Sequence, residues 1–121
     1  MATDRDPHGL DPHAPGAKLD AGKPMVGLML RGFPRALRAV AQVTTYGAQK
    51  YSPNGWQFVP DGEARYTDAM GRHLLLETEE GPYDGESGQL HAAMVAWNAL
   101  ARLELLIRGE EACQPSPKQP S

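Results

Sequence analysis

Histidines and carboxylates gather around one connection in this chain. Asp68, His73, Glu77 and Glu80 precede it, Asp84 and Glu86 lie in it, and His91 and Asn98 follow it. Carboxylate oxygens suit hard divalent cations and imidazole accepts most metals, so the grouping points to a divalent-metal site. The same residues also suit a plain helical hairpin with acids in a solvated turn. Both readings stand at this level.

The elements that must position these groups are helical. Over residues 62–80, Tyr66, Ala69/Met70, His73, Glu77 and Glu80 recur at helical spacing, which puts His73, Glu77 and Glu80 on one face. Arg65, Asp68 and Arg72 share a neighbouring face, where Asp68 can pair with either arginine. Residues 81–86, GPYDGE, read as a turn, and Asp84, Glu86 and Ser87 stand where a following helix takes its cap and first-turn acids. A third helix is expected over residues 87–108, with an apolar stripe through Leu90, Met94, Trp97, Ala101 and Ile107 and a stop at Gly109. His91, Asn98 and Arg102 run along its more polar side. A buried Asn98 needs hydrogen-bond partners, so it either orders the core or faces a ligand.

Upstream, Phe33, Leu37, Val40, Ala41 and Thr44 mark a first helix that starts near Pro34 and stops at Gly47. Residues 46–60 form a punctuated loop in which Asn54-Gly55 is a tight turn. Its aromatics Tyr46, Tyr51 and Trp56, beside Lys50 and Asn54, could stack on a base and bond its edge. Trp56 and Phe58 could equally plug the end of a small core. Residues 16–24, GAKLDAGKP, offer Lys18, Asp20 and Lys23 between glycines, a conceivable phosphate loop without Walker spacing, or simply a flexible leader.

Composition bounds the rest. A chain of 121 residues with 40% apolar content makes one small domain, and self-association would help it bury its apolar faces. Residues 1–15 and 110–121, rich in Pro and polar residues, read as a disordered leader and tail around a single helical domain at 16–109. The net charge of −3 gives no basic footprint for duplex nucleic acid. The single Cys113 excludes a disulfide framework and a Cys-rich zinc site. No signal-like or membrane-spanning run is present, which makes a cytoplasmic protein the expectation.

Several blocks together, GAKLDAGKP, VTTYGAQKYSPNGW, RYTDAMGRH and DGESGQLHAAMVAWNALARLELL, resemble the phage-encoded dATP/dGTP diphosphohydrolase N-terminal-domain family, a relative of the all-α MazG-type NTP pyrophosphohydrolases. The resemblance covers residues 16–106. It implies a phage or prophage source (hence a host-cell cytoplasm), an all-α fold, a homo-oligomer and a purine-nucleotide substrate. MazG-type enzymes hold magnesium with Glu-x-x-Glu on one helix and Glu-x-x-Asp on the next. Glu77-x-x-Glu80 matches the first half, while the following helix offers Glu86, His91 and Asn98 in place of the second.

Carried onto this chain, the resemblance and the residue chemistry give an all-α domain of three main helices completed by oligomerisation. Its expected activity is cleavage of dATP or dGTP to dNMP and pyrophosphate. Glu77, Glu80, Asp84, Glu86 and His91 would hold Mg2+ or Mn2+, and His73 or Asp68 would serve as base. Lys18, Lys23, Arg65 and Arg72 would clamp the phosphates, Trp56 or Tyr51 would stack on the base and Asn54 or Asn98 would read its edge, with Asp20 and Lys50 also in the substrate site. Two alternatives share the same residues: a phage protein that sequesters a nucleotide uncut, and an interaction module with His73 and His91 packed in its core.

Overall fold

The computed structural model describes residues 4–113 and is all-α. Its helices are α1 (Val26–Gly32), α2 (Pro34–Lys50), α3 (Gly62–Glu80) and α4 (His91–Cys113), with a short 3-10 helix at Gly55–Phe58. Residues 1–3 of the expected leader and 114–121 of the expected tail lie outside the described residues. The described residues divide into two compact units, one ending at Phe33 and the other beginning at Pro34.

The N-terminal unit is organised around Asp6, which is buried. One carboxylate oxygen accepts the backbone N–H of His8 (2.8 Å) and of Leu10 (3.4 Å), and the other accepts that of Lys18 at 2.7 Å. The Lys18 amide contributes most to holding this carboxyl below its ordinary range, against burial, which pushes it up. A backbone bond from Ala21 N–H to the Arg5 carbonyl closes the loop at 2.8 Å. Helix α1 ends the unit and exposes Val26, Leu28, Met29 and Leu30.

In the second unit α3 and α4 pair as a hairpin and α2 packs on α4. Helix α2 begins at Pro34, where a missing N–H costs nothing. It runs through the expected stop at Gly47 to Lys50. A glycine inside a helix costs only about 1 kcal/mol, and here Tyr46 and Lys50 on either side both bond Glu86, which holds the last turn in place. Asn54 does make the tight turn, in the left-handed conformation (φ 62°) that asparagine tolerates. Helix α3 opens at buried Gly62, where a Cβ would come within 2.9 Å of the Leu105 side chain, so α4 approaches closely there. It closes at Gly81 (φ 96°), whose N–H bonds the Glu77 carbonyl at 3.1 Å.

Helix α4 differs from its expected bounds at both ends. It starts at His91, not at residue 87, because Asp84 and Ser87 tie up the intervening backbone amides in a loop of their own. It passes Gly109 and continues to Cys113. An Arg108–Glu104 pair at 2.7 Å lies on the turn just before that glycine, and glycine alone does not stop a helix this long.

The interior is modest: among the described residues Val43, Ala93 and Ala101 are the buried apolar side chains. Larger groups seal one end. Trp56, Tyr66 and Trp97 meet edge to face, with ring centroids 5.6–6.3 Å apart, and the Tyr66 hydroxyl donates to the Trp56 carbonyl at 2.7 Å. Such pairs each contribute about 1 kcal/mol beyond burial. Trp97 touches both other rings, so Trp97→Ala is expected to lower the unfolding free energy by about 3 kcal/mol. Urea denaturation followed by far-UV circular dichroism checks this; a change below about 1 kcal/mol, the scale of an ordinary substitution, would mean the cluster is not what seals the hairpin.

Candidate metal centre

Three groups converge at the α3–α4 connection. His73 comes from the middle of α3, Asp84 from the loop, and His91 from the first turn of α4. One ligand atom of each lies within 4.8 Å of the others. The two imidazoles face each other through Nδ1, 3.0 Å apart. His91 has no exposed surface, while His73 is half-buried.

Local chain chemistry places each group. His91 is held by its own backbone N–H, which donates to the Pro82 carbonyl at 2.9 Å. Beside it, Tyr83 and Leu90 form an isolated antiparallel bridge. Asp84 anchors the loop between: its N–H donates to the Gln89 carbonyl, and its carbonyl accepts from Gly88, both at 2.8 Å. Its Oδ2 also accepts the Ser87 N–H at 2.8 Å. Gly88 takes φ 72°, which only glycine adopts freely, and this brings the loop back toward His91.

Glu80 Oε1 stands 2.7 Å from His91 Nε2, a contact in which a carboxylate accepts from an Nε2–H. In that tautomer a neutral His91 presents the Nδ1 lone pair to the Nδ1–H of His73, 3.0 Å away. The two Nδ1 atoms thus meet where His73, Asp84 and His91 converge. Burial pulls His73 below its ordinary value, helped by the charges of His91 and Arg72 and opposed by Asp84 and Glu80. For Asp84 burial pushes upward, but the Ser87 hydrogen bonds and the two histidines outweigh it and hold the carboxyl low. The site thus favours a neutral His73 beside an ionised Asp84, the protonation states a metal requires.

The other residues singled out from the sequence lie elsewhere. Glu86 turns to α2, where Lys50 Nζ bonds its Oε1 at 2.6 Å and the Tyr46 hydroxyl approaches at 3.4 Å. Lys50 also stands over the rings of Tyr46 and Tyr51, 5.8 and 5.4 Å from their centroids. The Glu86 hydrogen bond dominates in raising the lysine, and both side chains are largely exposed. Glu77 is exposed on α3 one turn beyond His73. Asp68 and Arg72 are exposed on the same helix, and the expected pairing of Asp68 with Arg65 or Arg72 is not among the ion pairs of the described residues. Arg65 instead donates to the Pro60 carbonyl at 3.2 Å. Asn54 makes its turn, and Trp56 packs on Tyr66 and Trp97 with the Arg108 guanidinium 5.8 Å from its ring centroid. Asn98 is buried and donates to the Met94 carbonyl one turn back, at 2.8 Å. Lys18, Asp20 and Lys23 belong to the N-terminal unit, where Lys23 pairs with Asp4 at 3.8 Å.

Two features are not evident from the sequence. Ser87 shapes the Asp84 loop through its amide and its hydroxyl, where a helix cap was expected; the Asp-x-x-Ser spacing is a usable signal for it. Arg102, on the same side of α4 as His91 and Asn98, has a buried Nε without a partner. Nothing in the pattern of the sequence separates it from a solvated arginine.

Such an arrangement, a helical hairpin carrying a histidine–carboxylate cluster at its connection, defines an all-α domain with a candidate metal centre. The family described as "dATP/dGTP diphosphohydrolase, N-terminal" matches residues 13–114, and the chain belongs to it. It is similar to a dATP/dGTP diphosphohydrolase of Salmonella phage PMBT28, 37% identical over 81 residues. That alignment covers 67% of this chain but 26% of the phage protein, so the chain spans about a quarter of that relative's length. No solved structure matches.

The lowered His73 has a consequence for stability. A histidine whose folded value lies below its unfolded one leaves the unfolded state holding more protons between the two. Stability is then full above the unfolded value of 6.5 and falls as pH drops below it. The melting temperature of metal-free protein is expected to fall as the pH is lowered from above that value to about one unit below it, and His73→Gln to flatten that slope. Equal slopes in the two proteins would show that protonation of His73 is not what destabilises the fold.

Proposed function

We propose that this chain is the nucleotide-hydrolysing part of a metal-dependent pyrophosphohydrolase that cuts purine dNTPs between the α and β phosphates, releasing dNMP and pyrophosphate. The observation that carries this reading is the convergence of His73, Asp84 and His91 in one cluster, in a chain of this family. The donor set fits a divalent ion: two imidazole nitrogens and a carboxylate held ionised, all reaching one space. A bound ion there would neutralise phosphate charge and activate a water. The chain's own residues do the rest. Arg72, exposed next to His73, supplies a cation for phosphate oxygens. Tyr51, 78% exposed, offers a ring face to the base. The phage relationship of the family suggests a phage or prophage setting, with a host cytoplasm as the place of action. Among the described residues no helix is long and apolar enough to cross a membrane.

A homo-oligomer belongs to the same proposal. Leu74 and Leu75 on α3 and Leu100, Leu103 and Ile107 on α4 are 45–64% exposed, and a second copy of the chain would cover them. Light scattering coupled to size exclusion is expected to give a dimer or larger, and a monomer at micromolar concentration would remove this part of the proposal.

The reaction is tested by incubating the protein with each dNTP and Mg2+ or Mn2+ and resolving the products by ion exchange. The expected products are dNMP and pyrophosphate from dATP or dGTP. His73→Gln and Asp84→Asn are expected to reduce the rate at least about 100-fold, the scale of losing a catalytic metal or base. If nucleotides raise the melting temperature and no product forms, the chain sequesters nucleotides and the hydrolase reading fails.

A further inference from the structure

We infer that the cluster is a transition-metal centre rather than a magnesium site, with His73 Nδ1, His91 Nδ1 and an Asp84 oxygen as ligands and Glu80 as the group that orients His91. The inference deepens the metal-dependent reading above but does not depend on the reaction.

The donor chemistry makes the first half of the case. Magnesium prefers oxygen ligands and gives up its water reluctantly, whereas imidazole selects iron, cobalt, nickel, copper and zinc. Two of the three converging groups are imidazoles. The carboxylates that would make an oxygen-rich site are engaged elsewhere or point away: Glu86 is held by Lys50 and Tyr46, and Glu77 is exposed outside the cluster. The spacing agrees. Two nitrogens each about 2.1 Å from one ion stand about 3.0 Å apart at a right angle and about 3.4 Å apart at the tetrahedral angle; the two Nδ1 atoms, hydrogen-bonded without an ion, are 3.0 Å apart and need move little to reach either.

Glu80 makes the second half. Its Oε1 lies on the far nitrogen of His91, Nε2, at 2.7 Å, and also accepts the Gly85 N–H at 3.4 Å. A carboxylate on the outer N–H of a ligating histidine fixes the tautomer and the ring plane and makes the inner nitrogen a better donor. His91 is fully buried, and Glu80 is the partner that satisfies its Nε2. The proton that His73 Nδ1 donates toward His91 in the metal-free site would sit on His73 Nε2 when an ion enters, so that both rings ligate as neutral imidazoles.

Isothermal titration of metal-free protein with Co2+, read alongside the visible absorption of the ion, tests the assignment. One Co2+ per chain is expected, with a visible band that a large excess of Mg2+ does not remove. His73→Gln and Asp84→Asn, from separate elements, are each expected to lose the band, with circular dichroism showing that at least one stays folded. Glu80→Gln is expected to keep the band and bind about 10–100-fold more weakly, while Glu77→Gln and Glu86→Gln bind as wild type. Absence of the band in wild type, its removal by Mg2+, or retention in both His73→Gln and Asp84→Asn overturns the centre. Loss of the band in Glu80→Gln overturns the orienting role. Tight Co2+ binding without dNTP cleavage would sink the hydrolase reading alone; cleavage with Mg2+ in protein that ignores Co2+ would sink the centre alone.

Discussion

A histidine with no exposed surface must have both ring nitrogens satisfied, and His91 meets that demand from two directions. Glu80, the last residue of α3, takes one nitrogen; His73, two turns earlier on the same helix, takes the other. Leaving either unpaired in the interior would cost about 1–3 kcal/mol. The requirement sets where α4 begins relative to the end of α3, and the backbone bond from His91 to Pro82 fixes the ring at that point. The contact that joins the hairpin and the contact that gathers His73 and His91 are therefore one.

The loop obeys the same logic. Asp84 uses one oxygen and both of its backbone groups to hold residues 84–89 in shape. This is what brings a carboxylate back to the histidines without a helix to carry it. Glu86, two residues on, works away from the cluster, because its bond to Lys50 ties the loop to the end of α2. The pair is exposed, and a surface ion pair is worth at most about 1 kcal/mol. Its larger effect is on the acid itself, which is engaged with a lysine and a tyrosine rather than turned toward the imidazoles.

That division explains how far the sequence could be read. Helix α3 and the start of α2 were legible because their signals are local: apolar and polar groups at helical spacing, a proline at the first turn of α2, and the GPYDGE turn after α3. The bounds of α4 were not, because side-chain bonds within residues 84–89 outcompete the helix there and no periodicity records them. His73, Glu80, Asp84 and His91 could be named as chemistry-bearing residues, yet their separate places could not. Carboxylates clustered near one turn look alike in a sequence. Which of them reaches an imidazole depends on Lys50, 36 residues before Glu86, and on which nitrogen of His91 faces inward.

The aromatic residues divide in a similar way, and this bears on where a base could sit. Trp56 meets Tyr66 and Trp97 edge to face, and Arg108 lies over its ring while bonding Gln57 at 2.7 Å. A ring packed edge to face on two neighbours has little left to offer a purine, and moving it would open the end of the hairpin. Tyr51 is placed differently: it is 78% exposed, follows directly on Lys50, and belongs to no packed cluster among the described residues. A ring there can stack on a ligand without any loss from the core, and the lysine beside it already favours an electron-rich or anionic neighbour. Base recognition by Tyr51 is therefore compatible with the stability of the hairpin, whereas recognition by Trp56 would work against it.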